Sequence, residues 1–156
     1  MCKIGNIRSG GQTGVDRAAL DFARLNGIPI KGWCPLGGWA EDKDVPPGVL
    51  SDYPELKETS SKDPAYRTIK NVESSDATLI IAANNSNGTN LTLQTAINIP
   101  KNHFVYNSKA DENNLVTWIN ALPDGVDLNI AGPRESESKG CYKRTLSLLN
   151  RVIKDH

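Results

Sequence analysis

The sequence predicts an α/β fold, a three-layer Rossmann-like sandwich around a mainly parallel five-stranded sheet. Three observations support this prediction. The chain has 156 residues, which fits one domain over residues 1–156. Short apolar segments alternate with segments of helical periodicity, which is typical of βαβ units. Polar or glycine-rich loops follow three of the apolar segments, as expected where a strand turns into a helix.

We expect the first strand over residues 4–8, followed by a helix that begins near Val15 and stops at Gly27. The apolar stripe of this helix includes Val15, Ala19 and Phe22. The second strand is expected over residues 28–33. Together these elements form the first βαβ unit of the predicted sheet.

Residues 34–63 have no clear period, and proline and glycine interrupt them repeatedly. Loops of this length are usually functional. Apolar side chains that can pack recur within the segment: Trp39, Val45, Val49, Leu50, Tyr53 and Leu56. We therefore predict a long ordered excursion over one rim of the sheet.

The next helix is predicted to start at Pro64, with Asp63 as its N-cap. Its expected apolar stripe is Ala65, Ile69 and Val72. The remaining strands are predicted over residues 77–83, 103–106 and 127–131, and the remaining helices over residues 91–99, 111–122 and 142–153. With the five predicted strands numbered in chain order, we expect the sheet order 2-1-3-4-5 or 3-2-1-4-5.

Composition narrows the classes of function. Lys and Arg number 18, as do Asp and Glu, so the zero net charge argues against a general nucleic-acid binder. The longest strongly apolar run, residues 77–83, is far shorter than the roughly 20 residues of a membrane span. Three distant cysteines without C-x-x-C spacing suggest free thiols and no metal site. We expect a cytoplasmic protein with neither nucleic-acid nor membrane partners.

Three loops carry the candidate chemistry, and in a parallel sheet all of them lie at one edge. Glycines and the N-termini of helices offer backbone N–H groups to anions, and an arginine adds a planar donor. The candidate ligand-binding residues are Ser9, Gly10, Gly11, Gln12, Thr13 and Gly14 in the first loop, Gly88 and Thr89 in the second, and Arg134, Glu135 and Ser136 in the third.

Other candidates have two interpretations. Asp16 either complements the dipole of the first helix or binds a ribose hydroxyl, a ring N–H or a cation. The acidic pair Glu41 and Asp42 is expected to be solvated. We assign no catalytic residue, because no Ser-His-Asp or Cys-His set is visible.

The opening segment over residues 7–21, IRSGGQTGVDRAALD, closely resembles that of the family named "putative molybdenum carrier". The segments GWCP at 32–35, DATLI at 76–80, GT at 88–89 and GPRES at 132–136 match in order. This family is similar to a Rossmann-like group that includes molybdenum-cofactor carriers, lysine decarboxylase-like proteins and the cytokinin-activating (LOG) phosphoribohydrolases. The resemblance implies a site for molybdenum cofactor, molybdate or a nucleotide-like phosphate, and a homo-oligomer such as a dimer or tetramer.

Comparison with the phosphoribohydrolases adds Arg67, which matches their conserved-motif arginine by position. Thr92 stands where those enzymes carry a catalytic glutamate, and a neutral hydroxyl cannot replace that carboxylate. A carrier that binds a small anionic ligand is therefore the leading hypothesis. The alternatives are a nucleotide N-glycosidic hydrolase and a nucleotide-sensing module without catalysis.

Overall fold

Five parallel strands form the main sheet of the protein in a computed structural model, which describes residues 4–82 and 87–153. These strands are β1 (Ile4–Arg8), β2 (Ile30–Lys31), β5 (Ala77–Ile81), β6 (Asn102–Tyr106) and β7 (Val126–Ala131). A separate parallel pair contains β3 (Trp33–Cys34) and β4 (Lys57–Glu58). The helices are α1 (Val15–Leu25), α2 (Pro64–Ser74), α3 (Asn87–Asn98), α4 (Glu112–Asn120) and α5 (Cys141–Val152). The α/β fold class with a parallel five-stranded sheet is confirmed.

The strand order in the main sheet is β2-β1-β7-β5-β6. Both expected orders are wrong, because the last strand of the chain lies between β1 and β5. Leu128 and Ile130 of β7 are fully buried, as suits a central strand, and α5 packs against α1. Periodicity within a strand does not record its neighbours, so the sequence prediction missed this insertion. As a result, the loops after β1 and β7 are adjacent.

The two faces of the sheet differ in polarity. The face beneath α1, α4 and α5 is apolar and includes the fully buried Ile7, Leu79 and Leu128. The alternate side chains of the same strands point toward α2 and α3; they include Asn6, Arg8, Thr78, Asp127 and Asn129, together with the buried Ile80. On this face Arg8 forms a two-pronged ion pair with Asp127, at 2.8 and 3.1 Å. A parallel sheet is usually apolar on both faces, so the α2–α3 side is unusual.

Helix α2 packs against β3 and α3. Its N-cap is as predicted, since Asp63 accepts a hydrogen bond from the Ala65 amide at 3.0 Å. Its expected apolar stripe is confirmed at Val72, which is fully buried, and is wrong at Ile69, which is 37% exposed; the other buried side chains are Thr68 and Asn71. Asn71 is buried because it hydrogen-bonds the Trp33 backbone in β3, a role that apolar periodicity cannot detect.

The predicted second strand is interrupted at Gly32. This glycine has a φ of 146°, and a Cβ placed on it would lie 1.9 Å from the Ser9 carbonyl oxygen. The chain therefore leaves the main sheet after Lys31, and the next residues pair with β4 instead. Between β3 and β4, the segment contains 3-10 turns at Leu36–Gly38 and Gly48–Ser51, and it buries Val49 and Leu56.

Helix α3 begins at Asn87, earlier than expected, so Gly88 and Thr89 lie in its first turn. The polar loop predicted over residues 84–90 is therefore helical from residue 87 on, and residues 84–86 lie outside the described residues. Cys34 and Cys141 are buried free thiols. In the described ranges, none of the helices combines the length and apolar character needed to cross a bilayer.

Candidate anion-binding site

A cavity of about 210 Å³ opens at the carboxyl edge of the sheet, between the loops after β1 and β7 and the helices α2 and α3. Among the predicted site residues, it brings together Gln12, Asp16, Arg67 and Arg134. The other lining residues are Pro64, Ala65, Thr68, Leu91, Thr92, Ala131, Gly132 and Glu137. The cavity therefore combines two arginines with one deeply buried carboxyl group.

Asp16 and Arg67 form the innermost pair of this cavity. The Arg67 Nη1 atom lies 3.4 Å from the Asp16 Oδ2 atom, which also accepts a hydrogen bond from the Gln12 amide at 3.2 Å. Burial raises the pKa of Asp16, although Arg67 and the Gln12 amide act in the opposite direction. Because Asp16 is only 2% exposed, its charge is poorly hydrated.

Arg67 retains unused hydrogen-bonding capacity. Its Nε atom is buried and finds no acceptor among the described residues. A buried N–H without a partner costs free energy, so an arginine in this condition favours an incoming acceptor. The close approach of Arg67 also requires glycine at position 10, where a Cβ would lie 2.4 Å from Nη1.

The amides that open α1 are hydrogen-bonded within the protein. Gly11 N donates to Ser9 Oγ at 3.3 Å, Thr13 N donates to Gln12 Oε1 at 3.0 Å, and Val15 N donates to the Pro133 carbonyl at 3.2 Å. Ser9 is fully buried. A ligand would have to displace internal acceptors to use these donors, and ligand binding by residues 9–14 stays a prediction.

Glu41 joins three parts of the site. Its carboxylate accepts hydrogen bonds from the Thr13 hydroxyl, from Ser136 Oγ at 2.5 Å and from Ser136 N at 3.3 Å. Arg134 Nη1 lies 4.0 Å away. Burial alone would raise the pKa of Glu41, but the bonds from Ser136 and Thr13 outweigh it and lower the pKa. The side chain is 22% exposed and its carboxylate is hydrogen-bonded within the protein, so the expectation of a solvated group is wrong for Glu41.

The sequence offers no signal for Glu41, because it lies in the aperiodic part of the chain. Its neighbour Asp42 binds Arg17 through two contacts of 2.9 Å and is more exposed. Only the fold brings residues 41 and 136 together.

Glu135 points to the start of α5. Its two carboxylate oxygens accept hydrogen bonds from Gly140 N at 2.6 Å and Tyr142 N at 3.0 Å. These backbone donors lower the pKa of Glu135. Both oxygens are therefore used to stabilise a helix N-terminus, although the residue was predicted to bind ligand.

Thr89 lies apart from the cavity. It lines a second pocket of about 320 Å³ together with Ile80, Leu93, Val105 and Asn107. The structure therefore does not bring Thr89 into the cavity that contains Arg67. Across residues 4–82 and 87–153, no group of three or more His, Cys, Asp or Glu side chains is placed to hold a metal ion.

A family model described as "Circularly permutated YpsA SLOG family" matches residues 7–153. The chain belongs to this family.

Circular permutation explains the strand order. If β7 and α5 are moved to the front of the chain, the order β2-β1-β7-β5-β6 becomes the Rossmann order 3-2-1-4-5. The winding then reverses between β7 and β5, which is where such sheets bind ligands. The cavity adjoins this point, since Ala131 and Gly132 at the end of β7 line it.

A solved structure of similar fold is named "Putative molybdenum carrier protein" and comes from Syntrophus aciditrophicus SB. It shares 36% sequence identity with this member of the SLOG family and superposes with a TM-score of 0.85. The match covers 98% of this chain and 97% of the other chain. The search of curated proteins gives no significant match.

Proposed function

We propose that this protein binds a small oxyanion or phosphate-bearing molecule in the cavity beside Arg67, and that it acts as a carrier without transforming its ligand. One observation supports this proposal above the others: Arg67 lines the cavity, and its buried Nε–H lacks an acceptor among the described residues. A guanidinium presents its donors in a fixed fork that matches phosphate and related oxyanions.

Arg134 supplies a second positive charge to the cavity. Its side chain is 37% exposed and lies within 4.0 Å of Glu41 and 3.7 Å of Glu137, so it can turn toward an anion at modest cost. Asp16 opposes anion binding when it is ionised. Because burial raises its pKa, protonation of Asp16 would remove part of this repulsion.

The name of the similar structure makes molybdate and molybdenum cofactor the first ligands to consider. Molybdate is an oxyanion and needs hydrogen-bond donors, which Arg67 and Arg134 provide. The cavity of about 210 Å³ accommodates a tetrahedral anion, but it is smaller than the roughly 300–1,000 Å³ of pockets that enclose drug-sized ligands. A pterin cofactor or a nucleotide would place its anionic end here and extend outside.

Isothermal titration with orthophosphate and with molybdate tests this function. We expect Arg67→Gln to weaken binding by about tenfold or more, because a charge-assisted contact is lost. The matched control is Arg24→Gln, since the exposed Arg24 lies outside the cavity, where it pairs with Glu55 and stacks on the Tyr53 ring. Equal affinities for wild type and Arg67→Gln would contradict the proposal.

The natural ligand requires a separate measurement. Purified protein is denatured, and the released molecules are analysed by mass spectrometry together with elemental analysis for molybdenum. A nucleotide without molybdenum would exclude the molybdenum carrier while leaving anion binding intact.

Nucleotide N-glycosidic hydrolysis is a second candidate, and the buried carboxyl group of Asp16 favours it. A carboxyl with a raised pKa beside an arginine can donate a proton to a leaving base. Thr92 argues against this activity, since it replaces the expected glutamate at the cavity wall. Released base from nucleoside monophosphates, lost in Asp16→Asn, would support hydrolysis; tight binding without turnover would indicate a sensor or carrier.

We also propose a homodimer through the outer surfaces of α2 and α3. Three apolar side chains are exposed there: Tyr66 at 50%, Ile69 at 37% and Ile97 at 51%. Burying such groups favours association. Light scattering after size exclusion should give about twice the 17.0 kDa of one chain, whereas a mass of 17.0 kDa would contradict a dimer.

A further inference from the structure

The carboxylate of Glu41 occupies a set of donors that is typical of a phosphate site. Two hydroxyl groups, of Thr13 and Ser136, and one backbone amide, of Ser136, donate directly to it. The Arg134 guanidinium lies 4.0 Å from its Oε1 atom. Hydroxyls, backbone N–H groups and arginine are the donors that proteins use for phosphate oxygens.

The donors and their occupant come from different parts of the fold. Thr13 and Ser136 belong to the neighbouring loops after β1 and β7, which adjoin the cavity. These two loops are also tied to each other, since Glu135 N donates to Thr13 Oγ1 at 3.1 Å. Glu41, by contrast, arrives from the excursion between β3 and β4. The donor set is therefore held together by contacts that do not involve Glu41.

We propose that Thr13, Arg134 and Ser136 form an oxyanion subsite, and that Glu41 fills it as an internal competitor which an incoming phosphate group displaces. The inference rests on the proposed function, because Arg134 lines both the subsite and the cavity. The ligand would then contact the protein at a second place besides Arg67, through an anionic group held by the subsite. Glu41 would regulate this contact by competing for the same donors.

Displacement does not require the excursion to detach. Glu41 N donates to Gln12 Oε1 at 2.9 Å, and Asp42 remains bound to Arg17. The backbone at residue 41 is therefore anchored independently of the Glu41 carboxylate. A rotation of one side chain is enough to free the subsite.

Orthophosphate titrations at constant ionic strength test the competitor role. Glu41→Ala should bind orthophosphate about tenfold more tightly than wild type, because the donors are released. Asp52→Asn is the matched control: it removes an exposed carboxylate that pairs with Lys43 in the same segment and leaves Glu41 and its anchors in place, so its affinity should equal that of wild type. If Glu41→Ala does not fold, Glu41→Gln, which keeps the size and loses the charge, should show a gain in the same direction.

The double variant Glu41→Ala with Arg134→Gln should lose the gain in affinity. A purely structural Glu41 would lower stability on substitution and would not increase affinity for phosphate. Unchanged or weaker phosphate binding in every folded Glu41 variant overturns the inference.

The Arg67→Gln variant separates this inference from the proposed function. Loss of phosphate binding in Arg67→Gln, without a gain in Glu41→Ala, leaves the cavity as the site and excludes the competitor. A gain in phosphate affinity in Glu41→Ala that persists when Arg67→Gln is added supports the subsite. The same result contradicts the role of Arg67 and the cavity in binding.

Discussion

Glu135 and Glu41 are both acidic side chains at loops of the site, yet they serve different groups. Glu135 satisfies two amides at the start of α5, whereas Glu41 binds hydroxyls, an amide and an arginine on two other loops. Motif position alone predicted a ligand role for Glu135 and solvation for Glu41. The hydrogen-bond partners of each carboxylate, which depend on tertiary structure, decide their roles.

Replacing Glu135 should therefore affect stability more than binding. We expect Glu135→Gln to lower the free energy of unfolding by about 1 kcal/mol, as loss of a helix cap does, and to leave phosphate affinity unchanged. Chemical denaturation and titration calorimetry measure the two effects. The exposed Glu55→Gln serves as a control, with little change expected in either quantity.

The effect of Glu135→Gln on the free energy of unfolding should depend on pH. The folded-state pKa of Glu135 lies below its ordinary value of 4.5, so its stabilising contribution is present above that pH. The contribution is lost as pH falls through the lowered pKa. The stability difference between wild type and Glu135→Gln should thus shrink in acid, and a difference that grows below pH 4.5 would contradict the capping role.

At the scale of elements, local pattern succeeds where packing is apolar and fails where it is polar. In α1, Val15 and Phe22 are fully buried as their spacing predicts. In α2, Asn71 is buried, with hydrogen bonds to both the N–H (2.8 Å) and the carbonyl (3.0 Å) of Trp33, while Ile69 is partly exposed. The difference comes from the β3 backbone against which α2 packs, which no local window of sequence reveals.

Substitutions on α2 can distinguish the predicted buried face, which contains Ile69, from the observed one, which contains Asn71. Asn71→Ala should lower the free energy of unfolding by about 2–3 kcal/mol, because it leaves buried backbone groups of Trp33 without partners. Ile69→Ala should cost less than about 1 kcal/mol, as a largely surface change. Urea denaturation measures both, and a larger loss for Ile69→Ala would restore the apolar stripe.

At the scale of the whole molecule, the fold class follows from alternating patterns, but the strand order does not. The alternating apolar and polar residues of β7 do not mark it as a central strand, and its position between β1 and β5 reflects the permuted chain. The loops after β1 and β7 meet at one edge as predicted, because all five strands remain parallel, whereas residues 83–86 after β5 lie outside the described residues. The pairing of the strands differs, and it brings residues 13 and 136 into one cluster.

The cavity itself depends on contacts between distant elements. Asp16 comes from α1, Arg67 from α2 and Arg134 from the loop after β7. Arg67 could be anticipated only through resemblance to a family motif, and Glu41 could not be anticipated at all. Arg67 and Glu41 both reach the site because α2 and the excursion before it cover the same edge of the sheet.

The position of a bound oxyanion tests the role of Arg67 most directly. Crystals soaked in molybdate are measured at the molybdenum absorption edge, for wild type and for Arg67→Gln. We expect an anomalous peak inside the cavity, within hydrogen-bond reach of the Arg67 guanidinium, and its loss in the variant. A peak that is unaffected by Arg67→Gln, or a wild-type cavity without molybdenum, would contradict anion binding at this site.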